Sequence, residues 1–157
     1  METRMDFQNL DPQKLLPQFQ KLLLTFEGRI GRQDFWIGAI ALAVVNLIVG
    51  WFFGLIGGAF LSGLVSLVLA YPAYCLALKR SNDLDYPQTY VQAFMAFQIA
   101  LTVISMFGGL GLGVLFFSIL LPILGIAALA LLVVLGFFQG TNGPNRYGPD
   151  PLASQAA

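Results

Sequence analysis

The chain has no histidine, one cysteine (Cys75) and only 10% charged residues among its 157; an ordinary soluble domain carries about 25%. Each shortage removes a class of function. Without histidine and with a single thiol there is no His–Cys zinc set and no disulfide framework. Ser62, Ser66, Ser105 and Ser118 have no imidazole to activate them, so a serine triad cannot be assembled. Cys75 reads as a small packing residue. The eight Lys and Arg balance the eight Asp and Glu, which leaves no basic surface for a nucleic acid. No metal, no cofactor and no catalytic residue is expected.

What the chain has in abundance is apolar surface: 57% of its residues are hydrophobic. No Asp, Glu, Lys or Arg falls between Asp34 and Lys79, or between Asp85 and Arg146. A membrane-spanning helix needs about 20 apolar residues, so each gap accommodates two spans and a turn. The expected fold is therefore an all-α membrane protein with four transmembrane helices arranged as two antiparallel hairpins. The spans are placed at Trp36 to about Ile56, Ala59–Leu78, Tyr90–Phe107 and Val114–Phe138. Residues 1–35 form an N-terminal segment, 36–138 the transmembrane domain with a polar loop at 79–89, and 139–157 a tail. Pro72 and Pro122 fall within spans, where neighbouring helices can satisfy the freed carbonyls. An even number of spans puts every charged cluster on one face. By the positive-inside rule that face is cytoplasmic, giving an N-in, C-in protein of the bacterial inner membrane. The first apolar run begins too late for a signal peptide and is expected to be retained.

Within the leader, Asp11-Pro12 reads as a helix start and Gly28 as a stop. Leu15, Leu16, Phe19, Leu22, Leu23 and Phe26 recur at helical spacing between them, predicting an amphipathic helix with a bend near Pro17. Two placements fit: on the membrane interface, or against the protein's own helices. The Gly57-Gly58 pair and the Gly108–Gly113 stretch read as hairpin turns rather than phosphate loops.

Helix association in lipid depends on close packing and interhelical hydrogen bonds. Ala39, Ala43, Asn46, Gly50, Gly54 and Gly57 form a small-residue stripe on the first span, and Gly58, Ser62, Ser66, Ala70, Ala73 and Ala77 one on the second. The two are expected to face each other. A polar seam of Asn46, Gln98, Thr102 and Ser105 is expected to point into the bundle.

Three polar segments stand out: Gly28-Arg29-Ile30-Gly31-Arg32-Gln33-Asp34-Phe35-Trp36, Leu78-Lys79-Arg80-Ser81-Asn82-Asp83, and Asn142-Gly143-Pro144-Asn145-Arg146-Tyr147-Gly148-Pro149-Asp150-Pro151. Together they resemble the DUF805 family of small bacterial inner-membrane proteins, a family defined by sequence and without an established biochemical activity. The central motif departs from the family's usual pattern. Asn82 stands where a histidine is usual, and Tyr86-Pro87 replaces a glycine turn. Because all three segments must emerge on one face, Arg29, Arg32, Asp34, Arg80, Asp83, Asn145 and Arg146 are expected to converge, with Trp36 and Tyr147 beside them. The tail, rich in turn formers, is expected to fold over this cluster as an ordered cap, with Arg146 paired to Asp83 or Asp34. Arg29 and Arg32 are also placed to reach anionic lipid headgroups.

The reading these features favour is a non-enzymatic accessory or scaffold subunit, with membrane lipids and a membrane-protein partner or further copies of itself as partners. The alternative is a small oligomeric transporter or channel lined by the Asn46/Gln98 seam. An enzyme acting on a lipid or isoprenoid phosphate, with the basic cluster as headgroup clamp, is a third class. It is disfavoured because no acid, base and nucleophile set is visible apart from Asp34 and Asp83, and carboxylates beside arginines are more often ion pairs.

Overall fold

In the computed structural model the described residues, 12–106 and 113–152, form five helices. They are α1 (Pro12–Leu24), α2 (Arg32–Ile56), α3 (Phe60–Asp83), α4 (Thr89–Met106) and α5 (Gly113–Phe137). α2 to α5 are each long and apolar enough to cross a membrane, so the all-α, four-span organisation with a short preceding helix is the one the chain adopts. Asp11 and the glycine-rich turn from Gly108 to Leu112 lie outside the described residues.

α2 reverses into α3 at Gly58, whose φ of 59° and ψ of −153° suit a residue without a Cβ. The two helices then run antiparallel. A Cβ built on Gly54 would lie 3.9 Å from that of Ser62, and one built on Gly38 would lie 2.7 Å from a methyl of Leu76. The expected stripes thus meet at Gly54 and Ser62 beside the reversal, while the tightest approach is made at Gly38, one residue away from the stripe of α2. Ala39, Ala43 and Asn46 of α2, with Ala73 and Ala77 of α3, instead line an apolar cleft of about 450 Å³ shared with Phe94 and Met95 of α4 and Leu131 of α5.

The second expected hairpin is splayed. α4 leans on α3, where Met106 lies against Gly63. α5 leans on α2, where the Trp36 ring covers Gly136 and its Nε1 donates to the Gly136 carbonyl at 3.1 Å. Among the described residues α4 and α5 have little contact with each other. The reason is positional: each is anchored to the α2–α3 pair by a glycine–side-chain notch, and clefts remain between them.

Helix ends also differ from expectation. α2 starts at Arg32, and α3 runs through the segment assigned to a polar loop, ending only at Asp83. Polar residues do not terminate α3 because their side chains bond to the carbonyls of other helices. The stop comes from Asp85, in the left-handed region at φ 55°. Its N–H bonds the Asn82 carbonyl, and the Tyr86 N–H bonds that of Ser81, which is the Schellman pattern.

α1 lies against the bundle. Leu22 is buried with Ile30, Phe35, Leu76, Leu84 and Leu135, and Phe19 and Leu23 pack beside them. Phe26 meets Tyr71 and Tyr74 at ring-centroid distances of 5.3 and 5.6 Å. Leu16 and Leu24 stay exposed, so only part of the apolar face is used internally.

These notches make a paired prediction. Gly136→Ala would place a methyl 2.5 Å from the Trp36 ring and is expected to destabilise the protein by about 1–3 kcal/mol, as overpacking does. Gly125→Ala meets nothing within 4 Å and is expected to leave stability unchanged or raise it. Thermal unfolding of both variants in detergent checks the contrast.

Candidate functional site

Consecutive residues on a helix point about 100° apart, so Lys79 and Arg80 at the end of α3 reach different neighbours. The Lys79 ammonium donates to the carbonyls of Lys21 and of Leu22 (3.1 Å), and to the Thr25 hydroxyl at 2.7 Å. It thereby satisfies the carbonyl end of α1. Arg80 donates through Nε to the Leu135 carbonyl at 2.7 Å and through a terminal nitrogen to that of Phe138 at 2.6 Å, closing the carbonyl end of α5. The last carbonyls of a helix lack intrahelical partners and carry partial negative charge. Two adjacent cations of α3 therefore cap two other helices.

Asp83, one turn beyond Arg80, joins both arginines of the network. Its Oδ2 accepts from Arg80, and its Oδ1 accepts from Nε and a terminal nitrogen of Arg29 at 3.1 and 3.0 Å. Arg29 has further bonds to the carbonyls of Gly143 (2.8 Å), Gly148 (3.2 Å) and Thr141 (2.6 Å). Arg80 is fully buried, and Arg29 and Asp83 are 4% exposed. All three nitrogens of each guanidinium are engaged, so what the cluster can do chemically is hold the helix ends and the tail.

The tail is an ordered cap. The Thr141 N–H donates to the Asp83 carbonyl at 2.9 Å, and the Asn145 amide donates to that of Asn82 at 2.9 Å. Gly140 passes so close to the Asp83 carboxylate that a Cβ there would overlap its oxygens. Asp150 closes the turn by accepting from the N–H groups of Gly143 (2.7 Å) and Leu152 (2.8 Å). Those bonds, that of Leu152 foremost, hold its carboxyl below the ordinary carboxylate range.

Of the expected cluster, Arg29, Arg80, Asp83 and Asn145 converge. Asp34 is buried in the first turn of α2, and Trp36 bonds α5. Arg32 stays exposed at the start of α2 beside a small polar cleft that also includes Asp150. Arg146 pairs with neither Asp83 nor Asp34: its ion pair is with Asp85 at 2.8 Å, and both side chains are about half exposed. Asp83 is already occupied by Arg29 and Arg80. Arg29 is accordingly turned inward and buried. The Arg146 guanidinium lies over the Tyr147 ring, 4.8 Å from its centroid.

The four residues of the expected intramembrane seam do not bond one another side chain to side chain among the described residues. The hydroxyls of Thr102 and Ser105 bond carbonyls of their own helix, Gln98 at 2.9 Å and Thr102 at 2.7 Å, the usual back-bonding of such residues. Asn46 lines the inner cleft, pointing into the bundle as expected, whereas Gln98 of α4 is exposed and does not line that cleft.

Sequence reasoning missed Thr141, Asn82 and Gln88. Asn82 donates to the Gly28 carbonyl at 3.2 Å and accepts from the Gln88 amide at 2.8 Å. Thr141 adjoins the tail motif and Asn82 lies within the central one, so proximity to the motifs was the available signal. Among the described residues no group of three His, Cys, Asp or Glu is placed to hold a metal ion.

The sequence model of the family described as "Protein of unknown function (DUF805)" matches residues 23–149, and the chain belongs to this family. No curated protein and no solved structure matches it.

Removing Asp83 as Asp83→Ala would leave two buried guanidinium groups without their anion, a loss of about 3–5 kcal/mol for a broken buried pair. Arg146→Ala is expected to change stability by less than about 1 kcal/mol, the range of exposed pairs. Unfolding and limited proteolysis of the tail compare the two, and equal effects would refute the assignment. The depressed Asp150 titration gives the cap a contribution present above the unfolded carboxyl pKa of about 3.9. It is lost as pH falls through the lower folded value, and Asp150→Asn removes that pH dependence of tail protection.

Proposed function

We propose that this is a non-enzymatic protein of the bacterial cytoplasmic membrane, with its charged end inside the cell, acting by association within the membrane as an accessory or scaffold subunit. One observation carries the reading. The conspicuous charged residues Arg29, Arg80 and Asp83 are buried and bonded to one another and to helix-end carbonyls, which suits a scaffold and leaves no free acid, base or nucleophile among them. The orientation rests on the Lys and Arg of the charged end. The site of action is then the outer surface of the helices, since the polar end is closed by the tail.

A second reading, a small oligomeric transporter or channel, draws on Asn46 and Gln98. Both carboxamides sit within spans, exposed rather than bonded across helices, where a polar group in hydrocarbon is costly. Asn46→Leu with Gln98→Leu separates the readings: the scaffold predicts unchanged flux into vesicles and unchanged or higher stability, the transporter a folded protein that has lost flux.

Gentle extraction from native membranes followed by mass spectrometry tests the scaffold directly. The expected result is a stoichiometric membrane-protein partner that co-purifies whichever of the two proteins carries the tag. A chain recovered only alone or with copies of itself overturns the accessory role.

A further inference from the structure

Between α4 and α5, sharing Phe94, Leu131 and Leu135 with the inner cleft, lies a second cleft of about 460 Å³. Its walls are Val91 and Phe94 of α4 and Ala127, Ala130, Leu131 and Val134 of α5. At the charged end it meets the side chains of Tyr86 and Tyr90, which are exposed and whose hydroxyls make no hydrogen bond among the described residues. Tyr86 is held in place by the bond from its N–H to the Ser81 carbonyl at 3.1 Å, so this rim belongs to the rigid stop of α3.

We propose that this cleft binds a membrane phospholipid, one alkyl chain lying between α4 and α5 and the phosphate accepting hydrogen bonds from Tyr86 and Tyr90. The proposal goes beyond the accessory role and does not depend on it; it needs only that these helices cross a membrane.

Size selects the occupant. A cleft of about 460 Å³ holds roughly fifteen groups of about 30 Å³, the share of one water in the liquid and close to that of a methylene. That is about the volume of one acyl chain, and the α5 wall from Ala127 to Val134, about 10 Å long at about 1.5 Å per residue, takes the part of it nearest the headgroup. A partner's helix, about 10 Å across, would fill the same volume with roughly one turn of about 5.4 Å, too little for stable packing. Burial from water is not the driving force in a bilayer. The gain comes from dispersion contacts that an empty groove forfeits, together with the two phenolic donors at the depth where a chain meets its headgroup. Interfacial tyrosines with an apolar body and a wet hydroxyl suit that boundary. The Ala127 and Ala130 positions keep the groove open, since larger side chains there would occupy the path of the chain.

The test uses the full chain in mild detergent, titrated with dipalmitoyl phosphatidylglycerol and followed by native mass spectrometry. One lipid is expected to be retained per chain. Ala130→Phe, which fills the groove, is expected to lower retention about tenfold, a loss of about 1.4 kcal/mol, without lowering the melting temperature. Tyr86→Phe with Tyr90→Phe, which leaves the groove intact, is expected to weaken phosphatidylglycerol but not dipalmitoylglycerol, which lacks the phosphate. Retention indifferent to Ala130→Phe overturns the chain site, and equal weakening of both lipids by the tyrosine variants overturns the phosphate contact. A dimer that Ala130→Phe dissolves would assign the groove to a second copy instead. Should Ala130→Phe fail to fold, the tyrosine pair still decides the phosphate contact, and competition by dipalmitoylglycerol decides the chain site.

Discussion

Arg80 is the residue on which the arrangement of the charged end depends. It is fully buried at the last turn of α3, and its three nitrogens reach the end of α5, the Ile30 carbonyl and the Asp83 carboxylate. In a lipid environment, apolar side chains do not draw helices together as they do in water. Directional bonds at the helix ends therefore decide which helix lies beside which. Burying a guanidinium is favourable only where its charge and donors are met. Here that demand is answered by carbonyls left over at a helix terminus and by a carboxylate one turn away. Lys79 repeats the solution for α1, so the basic pair of one helix fixes the positions of two others.

The division of labour between Asp83 and Asp85 follows from the stop of α3. Helical residues three apart lie on one face, which sets Asp83 beside Arg80 and within reach of Arg29. Asp85 lies past the cap in a left-handed conformation and projects outward, where it meets Arg146. Two acidic residues only two positions apart thus acquire opposite characters, one buried and shared by two cations, the other in an exposed pair. Gly140 completes the contrast, because only a residue without a Cβ allows the tail backbone to pass over the Asp83 carboxylate.

Much of this was legible in the sequence. The gaps in charge located four spans, and the parity of the spans brought three motifs to one end; the convergence of Arg29, Arg80, Asp83 and Asn145 followed from that alone. Pairings were less legible. The motifs pair Arg146 with Asp83 or Asp34 because all emerge at one end, but which arginine meets a carboxylate depends on the local path of the chain, and here Arg29 and Arg80 occupy Asp83. The extension of α3 through Lys79–Asp83 was hidden because local polarity reads as loop unless the carbonyls that accept those side chains are known. The splaying of α4 and α5 was hidden as well: small-residue stripes show where close approach is permitted, and the Trp36–Gly136 and Met106–Gly63 contacts show where it occurs.

The position of α1 follows from the same register. Leu22 packs where Gly38 of α2 meets Leu76 of α3. From Gly38 to Ile56 the α2 backbone rises about 27 Å, and from Leu76 back to Phe60 that of α3 spans about 24 Å, at about 1.5 Å per residue. A hydrocarbon layer of about 30 Å laid along these helices from their reversal at Gly58 ends close to the level of Leu22. Asp83, seven positions beyond Leu76, then stands about 10 Å above that level, with Arg80 between the two. On this placement α1 lies at the boundary with Leu22 turned to the bundle and Leu16 and Leu24 turned outward. Of the two placements considered for the helix, packing on the protein's own helices is the one seen, through Leu22, Phe19 and Leu23.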